Sequence, residues 1–425
     1  MSDKILRLSN GVEGLFIKND RFNTTHISFN FYLPLKSETV ANFALLPFIL
    51  TSCSAKYPDF SRLNYKLAKL YGARLDASTE KYGDFQLLRM TISVINDRYA
   101  LDDESLVTSA AELLLKLVFE PSVENESFFE ADVEREKRKA IEHIKGELSE
   151  KRIYAKNRLL EEMYRGENYG IAKCGTVEQV ENITGASLFK AWQDMLKSAF
   201  VRIHVVGTAV PEGLFEAISS RFEPLCRENV TDCKVSAPTT QREEPNFITE
   251  RMEIAQGKMV LGFSSELFGN DDSTLPLLVM NDIFGGGPYS RLFTNVREKL
   301  SLCYYCSASS ARTKGLITVE SGVEAENAET AASEILNQLE IIRKGEFDDY
   351  EFSSSIKSIC DSFKTYNDSQ NTLDMWYTLK INNDALYTPD ELAEKVSAIT
   401  REDVIAAAKG VKLHTVYKLL PKETK

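Results

Sequence analysis

Histidine is scarce in this chain. It occurs four times in 425 residues, at positions 26, 143, 204 and 414. His26, His204 and His414 fall in strand-like segments with no second histidine close by, so each reads as structural and not as a metal ligand. Long apolar runs are missing too. Nowhere do 18 or more apolar residues stand together, so no membrane span is expected. The opening stretch, Met1 to Leu8, lacks a basic segment followed by an apolar run and a small-residue cleavage site, so no signal peptide is expected. There is no basic excess: Lys and Arg number 51 against 63 Asp and Glu, a net charge of −12. Without a basic face, nucleic acid is not an expected partner. A regular cysteine framework is absent as well. The seven cysteines, at 53, 174, 226, 233, 303, 306 and 360, are odd in number and irregular, which suits reduced thiols and a cytoplasmic location. Cys303 and Cys306 form a CxxC, a weak zinc signal without a second CxxC or a histidine pair.

What the chain does have is an ordinary globular composition, 43% apolar and 27% charged. That is enough to bury sizeable cores in two to three domains. The chain also repeats itself coarsely at half-length. The first half opens with the turn Ser9-Asn10-Gly11 and an alternating strand from His26 to Leu33. Helical stretches follow at 40–53, 60–71, 102–118 and 126–165, then a strand at 200–207 and a helix at 211–222. The second half repeats the order: a strand at 258–263, helices at 271–284 and 288–299, strands at 303–309 and 315–322, helices at 325–343, 347–364 and 400–409, and a last strand from Leu413 to Leu420. Between the halves, residues 223–246 are polar, hold three prolines and lack apolar periodicity, which marks a linker. The expected fold class is therefore α+β: two similar tandem domains, 1–222 and 247–425, each a mixed or antiparallel sheet covered by helices.

Two tracts carry a family signature. The first is Phe284-Gly285-Gly286-Gly287-Pro288-Tyr289-Ser290-Arg291-Leu292-Phe293, continued by Val296-Arg297-Glu298-Lys299 and Leu302-Cys303-Tyr304. The second is Gly175-Thr176 followed by Val180, Ile183-Thr184 and Trp192. Together they resemble the pitrilysin-type (M16) zinc metallopeptidase superfamily, over essentially the whole chain and with the same half-length duplication. The resemblance is nearest to the bacterial subgroup with two domains per chain. It implies a chain that forms half of a clamshell.

In that family the chemistry rests on an inverted motif, His-x-x-Glu-His. Two histidines four apart on a helix face the same way and bind one zinc, and the glutamate activates its water. Counting back from Tyr57-Pro58 places Ala44 and Phe48 at the histidine positions and Pro47 at the glutamate. None of these can ligate zinc or accept a proton. The third ligand position falls within Ala140 to Ile144, at His143 with Glu142 one step away. His143 and Glu147 stand at helical i, i+4 spacing, which allows either a residual metal site or a solvated face of a charged helix. The chain therefore carries no catalytic residue of its own and no cofactor, and zinc is expected only in a partner subunit.

The resemblance gives Arg297 and Tyr304 a role in binding the substrate backbone and steadying charge on its carbonyl. A fixed cation and a neutral donor suit an oxyanion. The alternative is a surface ion pair for Arg297 and a sheet-core position for Tyr304. Gly285, Gly286 and Gly287 read either as a turn before a helix or as exposed backbone N–H groups that hold a substrate carbonyl. Two functional classes follow. One is a non-catalytic subunit that pairs with a zinc-bearing homologue to bind and help process a peptide or unfolded segment. The other is a non-enzymatic peptide-binding or scaffold protein of a processing or modification pathway, for which pairing with itself as a homodimer is the alternative to a heterodimer. A self-sufficient peptidase built on Glu142, His143 and Glu147 lacks a third ligand.

Overall fold

The protein's structure is a computed structural model, and it describes residues 5–235, 243–381 and 386–422. In chain order the strands are β1 (Ile5–Ser9), β2 (Val12–Lys18), β3 (Thr24–Pro34), β4 (Arg74–Tyr82), β5 (Phe85–Ile95), β6 (Val123–Glu124), β7 (Ser127–Phe128), β8 (Phe200–Gly207), β9 (Asn246–Met252), β10 (Gly257–Ser265), β11 (Cys303–Ala311), β12 (Leu316–Val323) and β13 (Val411–Pro421). The helices are α1 (Val40–Leu50), α2 (Phe60–Lys69), α3 (Leu106–Phe119), α4 (Glu130–Ser149), α5 (Lys151–Met163), α6 (Val177–Glu181), α7 (Gly185–Ser198), α8 (Leu214–Phe222), α9 (Leu275–Gly285), α10 (Ala328–Arg343), α11 (Asp349–Thr365), α12 (Gln370–Thr378), α13 (Pro389–Ser397) and α14 (Arg401–Lys409). A π-helical stretch runs from Leu292 to Lys299.

The chain forms two compact units that depart from chain order at two places. The first comprises residues up to 145, 171–234 and 368–381; the second takes 146–170, 235–367 and 382 onward. Each unit thus includes one short helical segment from the opposite half of the sequence.

The first unit is built on a mixed six-stranded sheet, β1-β2-β8-β3-β5-β4, with β2 parallel to β8 and the other neighbours antiparallel. Period-two alternation in β3 decides which face meets which partner. Ile27, Phe29, Phe31 and Leu33 enter a large apolar core under the helices. Each such buried side chain contributes about 1.5–3 kcal/mol of transfer free energy. Both α1 and α3 pack on β5, and α1 also meets β4 and α7. The other face of β3 carries His26, Ser28, Asn30 and Tyr32, all buried. There α12 covers β3 and β8.

The second unit holds a five-stranded sheet, β11-β12-β10-β13-β9, antiparallel except for the β13–β9 pair. Here α5 lies on β10 and β13. Gly262 in β10 makes that approach possible, because a Cβ there would sit 2.8 Å from Met163 Sδ and 3.0 Å from a Leu159 methyl.

The helix expected over 126–165 is broken. Its chain leaves the helical path at Glu150, whose backbone is extended and whose carboxylate accepts from the Arg152 N–H, so a second helix starts with its own cap. Within the segment 223–246, residues 236–242 lie outside the described residues. Before them, Arg227 donates to the carbonyls of Leu196 and Ala199, and Cys233 joins a small core with Tyr32, Tyr82 and Ile381.

Candidate functional site

The helix that carries positions 44, 47 and 48 is α1, and it is a core element. Nine of its eleven residues are buried, Ala44 and Pro47 among them. The Ala44 carbonyl accepts from Thr79 Oγ1 at 3.0 Å. Pro47 sits inside the helix and removes the N–H that would reach the Phe43 carbonyl. The helix nevertheless continues to Thr51, whose N–H bonds the Pro47 carbonyl at 3.1 Å. Phe48 is 39% exposed. A methyl, a pyrrolidine and a phenyl ring offer zinc no donor, so these residues do not fit the metal that the family implies. The third-ligand candidates lie on α4, with Glu142 and His143 exposed and Glu147 half-buried. Among the described residues, no three His, Cys, Asp or Glu side chains converge to hold a metal ion.

Arg297 and Tyr304, by contrast, are brought together. Both line a cavity of about 440 Å³ in the second unit, with Glu298, Ser301, Leu302, Cys303, Glu324 and Asn327. Three local features position them. The π-helical turn carries Arg297, and such turns are rare and frequent at functional sites. Ser301 then takes a left-handed conformation, φ +51°, which ends the helix and turns the chain into β11. Last, β11 bulges. Cys303 pairs with Val323 and Tyr305 with Gly322, so Tyr304 is the extra residue and its side chain is re-aimed outward, 60% exposed. The Arg297 guanidinium lies 4.6 Å from the Phe293 ring centre and 3.5 Å from Glu298 Oε1. The Tyr304 hydroxyl donates to Glu324 Oε1 at 2.8 Å, and that bond raises its pKa.

The glycine run lies at the C-terminal end of α9. Gly286 N–H bonds the Asp282 carbonyl at 2.8 Å. Gly285 has a packing reason to be glycine: a Cβ there would meet Ala308 N at 2.5 Å and Ala308 Cβ at 2.7 Å. The run thus lets α9 press against β11, the strand that carries Tyr304.

A second cluster was not anticipated from the sequence. Asp374 on α12 is fully buried on the polar face of the first unit's sheet. It accepts from Ser28 Oγ and His204 Nδ1, each at 2.7 Å, and pairs with Arg89. His26 Nε2 stands 3.5 Å from its other oxygen, and His26 Nδ1 meets Ser93 Oγ at 2.8 Å. Burial opposes ionisation of Asp374, but hydrogen bonds from His204 and His26 outweigh it and hold the carboxyl well below the usual range. Burial pushes His204 down, so it stays neutral and donates. His26 and Arg89 also border a polar cavity of about 260 Å³ with Arg74, Asp76 and Thr91. The one signal in sequence was the polar set His26, Ser28 and Asn30 at alternate positions of an apolar strand.

The fold and these positions define a class: a two-unit α+β chain whose residues at 44, 47 and 48 offer zinc no donor. Residues 182–359 match the family described as Peptidase M16 inactive domain. A Bacillus subtilis (strain 168) protein described as a probable inactive metalloprotease, YmfF, is 28% identical over 408 residues, covering 96% of this chain and 95% of that protein. A second protein of the same strain, described as the uncharacterized zinc protease YmxG, is 23% identical over 388 residues, 87% of this chain and 90% of that one. The crystal structure of a conserved protein from Enterococcus faecalis V583, 26% identical, superposes with a TM-score of 0.91 over all of both chains. Residues 182–359 thus match an M16 peptidase domain, and along nearly its whole length the chain is similar to a protein described as a probable inactive metalloprotease. Its four histidines include no two that stand four residues apart, so the inverted motif is absent from the whole sequence. No helix among the described residues is long and apolar enough to cross a membrane.

Proposed function

We propose that this chain is the non-catalytic subunit of a pair whose other member is a zinc-bearing homologue, and that it binds peptide segments for that partner through Arg297 and Tyr304. The observation that carries this reading is the asymmetry between the two sites. The helix at the zinc-motif positions is filled with core residues. Arg297 and Tyr304 still line one cavity, placed there by a π-helical turn and a bulge. A cation and a hydroxyl donor on one wall suit a peptide carbonyl. The two Bacillus subtilis relatives, one described as inactive and one as a zinc protease, are consistent with such a division of labour. In this reading the pair works in the cytoplasm.

The test is purification of the tagged chain from its native cell. A zinc-bearing homologue should co-purify in equal amount, and the pair should cleave a peptide that neither chain cleaves alone.

One observation favours a second reading, a non-enzymatic peptide-binding or scaffold protein. Tyr304 gives its hydroxyl to Glu324 and Arg297 faces Glu298, so both donors already have acidic partners within the chain. A chain that purifies only with itself, and binds peptide with no cleavage in any combination, would put this reading first.

A further inference from the structure

Residues three apart on a regular strand point to opposite faces. The bulge in β11 changes that for Cys303 and Cys306. Their partners on β12 are Val323 and Ser321, two residues apart and so on one face. The inserted Tyr304 therefore brings the two thiols to the same side of the sheet. Cys303 is at the cavity wall beside Arg297, while Cys306 lies behind it, 5% exposed. Hydrogen bonding from the Cys306 thiol outweighs burial at Cys303, and with Ser321 and the Arg297 cation it draws that thiol below its ordinary value. The same contact and burial hold Cys306 well above its own. Other cysteines are placed differently. Burial pushes Cys53 up to about 11 and Cys233 up to about 12, which keeps them as inert thiols.

The geometry points to a thiol–disulfide exchange site at Cys303 and Cys306, at which a low-molecular-weight disulfide of the glutathione class oxidises the pair to an intramolecular disulfide. Cys303 sulfur attacks one sulfur of the small disulfide; a new S–S bond forms, the old one breaks, and one thiolate leaves. Cys306 then gives up its proton, its sulfur displaces the second small thiolate from Cys303, and the protein disulfide closes. The protein loses two electrons and two protons, and the small disulfide is reduced to two thiols. A cavity-side attacking thiol backed by a buried resolving thiol is the arrangement this sequence calls for. The chemistry depends only on the two thiols and holds whether or not a peptide enters the cavity.

Trypsin cuts after Lys299 and Arg312, so both thiols fall in one peptide, residues 300–312. The full-length reduced chain is incubated with oxidised glutathione, quenched in acid, blocked with N-ethylmaleimide and digested. Peptide 300–312 should appear two hydrogens lighter and unblocked, while the peptides of Cys53 and Cys233 are blocked in full. Cys306→Ser should accumulate a glutathione adduct on Cys303, and Cys303→Ser should form neither product. Full blocking of both thiols in the wild type, or a glutathione adduct that never resolves there, would overturn the assignment.

Discussion

Arg297 and Tyr304 lie on the surface of their cavity, so either can be removed without opening a core. If they complete a partner's site, Arg297→Ala should leave assembly intact and lower the pair's peptide cleavage about a hundredfold, roughly the 3 kcal/mol lost with one preorganised donor. Tyr304→Phe should cause a smaller loss, because its ring stays. A mere surface ion pair would cost at most ~1 kcal/mol of stability and leave cleavage unchanged. Size-exclusion chromatography and a fluorogenic peptide assay on both variants separate these outcomes. At Asp374 the question is stability. Asp374→Ala strips the buried Arg89 of its partner and should cost about 3–5 kcal/mol in urea unfolding. The neighbouring His204 sets a pH dependence. Its folded pKa is lowered by burial, so between that value and about 6.5 the unfolded chain binds a proton the folded one refuses. Stability should be level above about pH 6.5 and fall below it. The depressed Asp374 adds a further loss only below about pH 4, as the pH falls toward its folded value. Calorimetry from pH 8 to 5 checks this: Tm should decline below 6.5, and His204→Asn should flatten the decline. The Arg297–Tyr304 pair was legible in sequence because both stand in one contiguous family tract. The Asp374 cluster was not, since Asp374 is 170 residues from His204 and 346 from Ser28, and no local pattern links positions that far apart.

Among the elements, α1 and the α9–β11 contact shape the two candidate sites. Apolar residues surround α1, and that made it easy to read as a helix despite Pro47. Filling the motif positions does not rebuild a site there. Ala44→His and Pro47→Glu would push polar groups into a core packed against α7, β4 and β5. Ligands also need support to within about 0.5 Å. The triple variant Ala44→His, Pro47→Glu, Phe48→His should therefore bind less than stoichiometric zinc after dialysis and cleave no peptide alone. In the second unit, Gly285→Ala forces a methyl against the Ala308 backbone. It should cost about 1–3 kcal/mol and, by shifting β11, weaken peptide binding at Tyr304 without touching it. The glycine run was visible in the sequence. Its packing role was not, because the residue it presses on, Ala308, lies 23 positions further along the chain. The strands β4 and β5 were missed although β5 carries a period-two pattern like that of β3, with Leu88, Met90, Ile92 and Val94 alternating with Arg89, Thr91 and Ser93.

For the whole molecule, the half-length repeat predicted two sheet-and-helix units, and two are present. The repeat could not predict which helices each sheet recruits. Residues 146–170 belong with the second unit and 368–381 with the first, because Gly262 leaves room for α5 and Asp374 ties α12 to β3 and β8. The proposed function is a division of labour between this chain and a zinc-bearing partner. The most direct measurement is zinc content and peptide cleavage, determined together for the native complex and for each purified chain. A division of labour predicts about one zinc per pair, carried by the partner, none on this chain after dialysis, and cleavage by the reconstituted pair that is lost with Arg297→Ala. One zinc bound to this chain alone, released by His143→Ala and accompanied by cleavage, would contradict it.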